Sequence, residues 1–88
     1  MVEILSGGRL AEIERRCNHA TPGPWKSYVE GRDHTSGNSF IMTGGPDIYL
    51  TGATVDDQDF IAYARQDVPL LLQEIRRLHA LLGDADAH

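Results

Sequence analysis

Val68, Leu71, Ile75, Leu78 and Leu82 recur at alternating intervals of three and four residues. That is the a/d rhythm of a heptad, and it predicts a helix over residues 68–82 with one continuous apolar stripe, which Leu72 joins. Leu70 and Leu81 fall beside the stripe and widen the apolar surface. Two heptads are too few for a free coiled coil, so the stripe must pack. It serves either as intrachain core or as an oligomer interface built from Val68, Leu71, Leu72, Ile75, Leu78 and Leu82, and both readings stay open.

Pro69 interrupts the same segment. Inside a helix it removes one hydrogen bond and clashes with the preceding turn, at a cost of about 3 kcal/mol. The expectation is therefore two helical pieces, residues 56–66 and 68–82, with a bend between them. Asp67 would cap the second piece and Pro69 would sit in its first turn. Thr54 or Asp56 can cap the first piece, and Asp57 and Asp59 complement its positive end.

A shorter amphipathic helix is predicted over residues 8–19, with Leu10, Ile13 and Cys17 on one face. Thr21-Pro22-Gly23-Pro24 forbids its continuation and forces an extended turn. Residues 25–30, 39–43 and 48–51 then have strand character, separated by turn-forming residues at 31–38 and 44–47. The expected fold is α+β: an N-terminal helix, an antiparallel β-meander of about three strands, and a bent C-terminal helix pair. Residues 1–88 form a single domain, with 1–7 and 83–88 frayed or disordered.

A chain of 88 residues buries only about 60–65 % of its unfolded surface, and chains this small often need a staple. Cys17 is the only cysteine, so an intrachain disulfide is excluded, and the four histidines lack metal-ligand spacing. No metal and no cofactor is expected. Self-association is the staple that remains, so a homo-oligomer is expected. The net charge of −5, with eight Lys and Arg scattered along the sequence, argues against duplex nucleic acid as a partner. No apolar run is long enough to span a membrane, and the opening residues lack the pattern of a secretory signal. A single unpaired cysteine fits a reducing cytoplasm.

Nothing in the sequence assembles a catalytic constellation. Neither glycine pair lies in a phosphate-loop context, the acids at 56, 57 and 59 lack calcium-loop spacing, and Asp33 beside His34 is too local a pairing to carry acid–base chemistry. The chain is read as not an enzyme. Ligand-binding candidates are Trp25, the only tryptophan, together with Tyr28, Arg32, His34 and Arg65. An indole held by a rigid Pro-Gly-Pro lead-in can stack on a base, or it can simply be core. Arginines can meet phosphate, or they can be ordinary solvated charges.

Two segments taken together carry a resemblance. Ala20-Thr21-Pro22-Gly23-Pro24-Trp25 follows a short helix, and Asp59-Phe60-Ile61-Ala62-Tyr63-Ala64 precedes a proline and a leucine-rich helix. This pair resembles the Ead-type family of small bacteriophage early proteins. The shared motifs cover residues 10–25 and 56–82, and residues 26–55 match nothing recognisable. The resemblance implies a phage or prophage origin and a host-directed role in the cytoplasm of an infected bacterium. It supplies no reaction. By analogy with other small phage proteins, the expected function is an anti-defence sponge that holds a nucleotide immune signal, of the cyclic oligonucleotide or cyclic ADP-ribose type, in pockets between subunits. The alternative is a protein–protein module that inhibits or adapts a host protein, and a structural subunit of the phage particle is a weaker third.

Overall fold

A computed structural model describes residues 6–83. The expectations of fraying at residues 1–5 and 84–88 lie outside the described residues. Helix α1 spans Gly7–His19. Its N-cap is Ser6, whose hydroxyl accepts from the Arg9 amide at 3.1 Å, satisfying one of the free N–H groups of the first turn. Gly7, expected to fray, is its first helical residue. Leu10 is buried and Ile13 and Cys17 are half-buried, so the predicted apolar stripe is the one that packs.

Strands β1 (Lys26–Tyr28) and β2 (Phe40–Met42) pair antiparallel, with Ser27 opposite Ile41. Ser27 and Ile41 are buried. Both strands are shorter than the predicted 25–30 and 39–43. The expected third strand reduces to one antiparallel bridge, Ile41 with Ile48, joined by backbone bonds of 2.8 and 2.9 Å. Side chains and turns end the pairing early. The Asp33 carboxylate takes the Val29 amide at 2.8 Å, the Thr43 hydroxyl takes the Gly45 amide at 2.8 Å, and Gly52 at φ +83° turns the chain towards the last helix.

Helix α2 runs without interruption over Val55–Gly83 and contains Pro69. This corrects the expected helix pair, and with it the expectation that Asp67 is a cap: Asp67 is an exposed interior residue. The start is the Thr54 alternative, in a reciprocal box. Asp57 N donates to Thr54 Oγ1 at 3.0 Å and Thr54 N donates to Asp57 Oδ2 at 3.1 Å. Continuity across Pro69 has a packing cause. Gln58, Ala62 and Leu72 are buried, and Arg65, Gln66 and Pro69 are half-buried, so one inward stripe passes straight through the proline. Breaking the helix there would unseat one half or the other, which outweighs the single hydrogen bond that Pro69 forfeits.

The first half of α2 lies under the sheet and its second half along α1. Gln58, only 5 % exposed, ties the layers together: its Nε2 donates to Ser27 Oγ at 2.8 Å and to the carbonyls of Tyr28 and Phe40 at 3.2 Å each. Leu10, Val29, Ile41, Ala62 and Leu72 make the buried apolar core. The radius of gyration is 16.9 Å, against about 12 Å for a compact chain of this length. A 29-residue helix is about 43 Å long, and the other described residues cover only one side of it.

Candidate functional site

The Thr21–Trp25 segment is fixed from four directions. Trp25 Nε1 donates to Thr21 O at 3.0 Å, and Arg65 Nε donates to the same carbonyl at 3.0 Å. The Gln66 side-chain amide takes both backbone groups of Trp25, accepting from its N–H at 2.7 Å and donating to its C=O at 3.2 Å. Gly44 N donates to Pro22 O at 2.8 Å. With its N–H satisfied and its backbone clamped, the half-buried indole has little freedom to reorient.

One side of Trp25 closes the seam between α1 and α2, where Ile13, Cys17 and Val68 also lie. The other side lines an open cleft of about 480 Å³ whose walls include Pro24, Trp25, Arg32, Asp59, Ala62 and Tyr63, with Lys26 and Asp33 also on its lining. Asp59 and Tyr63 are one turn apart on α2, so they enter the cleft together.

Arg32 forms the polar part of this cleft. Its guanidinium meets Asp59 in a two-pronged pair of 2.8 and 3.1 Å and reaches Asp33 through Nε at 3.0 Å. Hydrogen bonds from Asp59, then from Asp33, push the guanidinium pKa further up. The Asp59 carboxyl is held below the usual carboxylate range by Arg32 first and Ser27 second, and the Asp33 carboxyl by Arg32 first and the Val29 amide second. Lys26 and Arg32 balance Asp33 and Asp59, so the charged groups lining the cleft sum to neutrality.

The five sequence-predicted ligand residues do not converge. Trp25 and Arg32 share the cleft. Tyr28 and His34 belong to an aromatic cluster centred on Phe40, which stacks on Tyr28 at 5.3 Å and tilts against His34 at 5.7 Å and Tyr49 at 6.0 Å. His34 Nδ1 is 2.6 Å from Ser36 O, and Asp33 turns to Val29 and Arg32, so the adjacent Asp33 and His34 do not act as a pair. Arg65 is occupied by Thr21 O and lies along the grooves beside α1 and Pro24. Sequence reasoning missed Asp59 and Tyr63 as site residues. Their four-residue spacing was the available signal.

Comparison with known proteins brings no match, whether to a family model, to a curated protein or to a solved structure. The site is therefore read from its own chemistry. Among the described residues no group of three or more His, Cys, Asp or Glu is placed to hold a metal ion, and no helix is long and apolar enough to cross a membrane. The six residues of the expected oligomer stripe divide between two faces of α2. Leu72 is buried and Val68 and Ile75 are half-buried, whereas Leu71, Leu78 and Leu82 are exposed.

Proposed function

We propose that this chain is a non-catalytic binding protein that sequesters a small nucleotide signal at the Trp25 cleft, acting as a homo-oligomer in the cytoplasm of a phage-infected bacterium. Its phage origin and anti-defence role rest on the resemblance to Ead-type early proteins. The ligand class is that of a cyclic oligonucleotide or a cyclic ADP-ribose.

The observation that carries the proposal is the immobilised Trp25 indole, set in one cleft with Tyr63 and with the Arg32–Asp59 pair. Two aromatic side chains offer stacking surface to a base, worth about 1–3 kcal/mol per base. Asp33 Oδ1, which takes neither the Val29 amide nor the Arg32 guanidinium, can accept from an exocyclic amine, which selects adenine, guanine or cytosine over uracil. Arg32 is engaged by two carboxylates, so the proposal gives it the role of holding that acceptor in place. Phosphate then falls to Lys26 at the rim and to groups brought by a second copy.

Thermal denaturation against a panel of cyclic dinucleotides and cyclic ADP-ribose isomers tests this reading, because a ligand that binds only the folded state raises the melting temperature. At least one compound is expected to do so. A folded protein unmoved by every compound at high excess contradicts it.

A specific observation also favours the second reading, a module that docks on a host protein. Leu70, Leu71 and Leu81 are at least 60 % exposed on α2, and the chain is acidic. Recovery from host lysate of one stoichiometric host partner, with no small molecule retained, would support that reading over the first.

A further inference from the structure

Helix α2 has a second apolar face. Opposite the inward stripe of Gln58, Ala62 and Leu72, the helical repeat places Phe60, Tyr63, Leu70, Leu71, Leu78 and Leu81 on the solvent side. They are between 41 and 73 % exposed and run along about 32 Å of helix. Isolated soluble chains rarely show a contiguous apolar patch above a few hundred Å². Asp67 and Glu74 lie on the same side among these residues. The six apolar side chains offer at most on the order of 700 Å² per copy, near what each partner contributes to a standard interface.

We infer that a second copy of this chain covers this outer face, with the two α2 helices antiparallel about a two-fold axis between Leu70 and Leu71. A two-fold contact must be self-complementary, and the spacing of these residues is. About that midpoint Leu70 faces the partner's Leu71, Tyr63 faces the partner's Leu78, and Phe60 faces the partner's Leu81. The midpoint also brings Asp67 opposite the partner's Glu74, a like-charge contact. Glu74 is already neutralised within its own helix by Arg77, through Nε at 3.1 Å and Nη2 at 2.6 Å, which weakens the repulsion without removing it. A foreign partner would have no reason to match this symmetric spacing, and a second copy matches it by construction.

The arrangement deepens the functional proposal, resting on its claim that the chain is an oligomer but not on the identity of the ligand. Tyr63 lies both in the Trp25 cleft and on the outer face, so the partner's Leu78 completes a wall that one copy leaves open. Each dimer carries two such clefts, each built from both copies.

The test uses engineered cysteines in the full chain carrying Cys17→Ser, which removes the native thiol from the α1–α2 seam. The double variant Tyr63→Cys/Leu78→Cys is expected to oxidise to a covalent dimer, because the antiparallel register brings the two positions face to face. Tyr63→Cys alone is expected to remain monomeric on a denaturing gel. In parallel, light scattering should show that Leu71→Asp halves the native mass while circular dichroism is unchanged. Leu81→Asp, nearer the helix end, gives the same reading if Leu71→Asp fails to fold. Cross-linking by Tyr63→Cys alone as efficient as by the pair would overturn the antiparallel register. An oligomer whose mass survives both folded aspartate variants would overturn the choice of face while leaving the oligomer reading intact. A wild-type chain that is monomeric at every concentration overturns both.

Discussion

The side-chain amide of Gln66 stands where a neighbouring strand would stand for Trp25, accepting from its backbone N–H at 2.7 Å and donating to its backbone C=O at 3.2 Å. Trp25 immediately precedes β1 and has no ladder partner of its own. Helix α2 therefore completes the sheet at the point where the cleft begins. Replacing Gln66 with Leu removes both contacts and leaves two part-buried backbone groups unpaired. The expected loss is about 1–3 kcal/mol, measured by urea unfolding, with a red shift of Trp25 emission in the folded variant as water reaches the indole.

Gln58 plays the corresponding part deeper in the structure. Its single amide nitrogen serves one hydroxyl and two carbonyls from both strands. Gln58→Leu keeps the volume and strands those acceptors, so a destabilisation of about 2–3 kcal/mol is expected. Gln58→Glu is expected to cost more, because it turns a donor into an acceptor and adds a charge in a buried setting. Equal midpoints for the two variants in chemical denaturation would mean that the amide contributes packing alone.

Two glycines should respond with opposite sign. A Cβ on Gly44 would stand 2.7 Å from the Pro22 carbonyl oxygen, a backbone atom that is itself held by the Gly44 amide. Gly44→Ala is expected to destabilise by about 1–3 kcal/mol and to loosen the Thr21–Trp25 segment. At Gly7, in the first turn of α1, an added Cβ meets nothing within 4 Å. Gly7→Ala is expected to stabilise by about 0.5–1 kcal/mol through helix propensity. Melting temperatures of the two variants check both signs.

Acid should weaken the Arg32 cluster. Asp33, Asp59 and Glu74 all have folded-state pKa values below their ordinary ones, each principally through a hydrogen bond from an arginine. Their contribution is complete above the unfolded carboxylate pKa of about 4 and is lost as pH falls through the depressed folded values. A melting-temperature profile should therefore be flat from neutrality to about pH 5 and fall below about pH 4. Arg32→Gln should flatten that acid limb, leaving the part due to Glu74 and Arg77. An acid limb unchanged in Arg32→Gln would show that the cluster adds nothing to folding.

Local features were legible in the sequence and non-local ones were not. The first helix, the stop at Thr21-Pro22-Gly23-Pro24 and the Thr54 cap are each decided by a few adjacent residues. The proline penalty at Pro69 is local too, and it misled because the packing that overrides it is spread along α2 from Gln58 to Leu72. The third strand failed for a related reason: β-propensity at residues 48–51 says nothing of the turn at Gly52 that leaves room for a single pair. Arg32 read as a free cation because its partner Asp59 lies 27 residues away. Asp59 read as a helix-capping acid, a part that Asp57 fills. The heptad over residues 68–82 was a correct periodicity without a direction. With Leu70, Leu71 and Leu72 consecutive, α2 is apolar on several sides, and only the position of α1 decides which side turns inward.

Contact between Trp25 and ligand can be measured directly. As the sole tryptophan, it is its own reporter, and its steady-state fluorescence can be titrated with the cyclic nucleotides and cyclic ADP-ribose isomers without any label. Saturable quenching by at least one of them, at one ligand per chain or per pair of chains, is the expected result, because a stacked base quenches the indole. A folded protein whose Trp25 emission stays constant through every titration would contradict it.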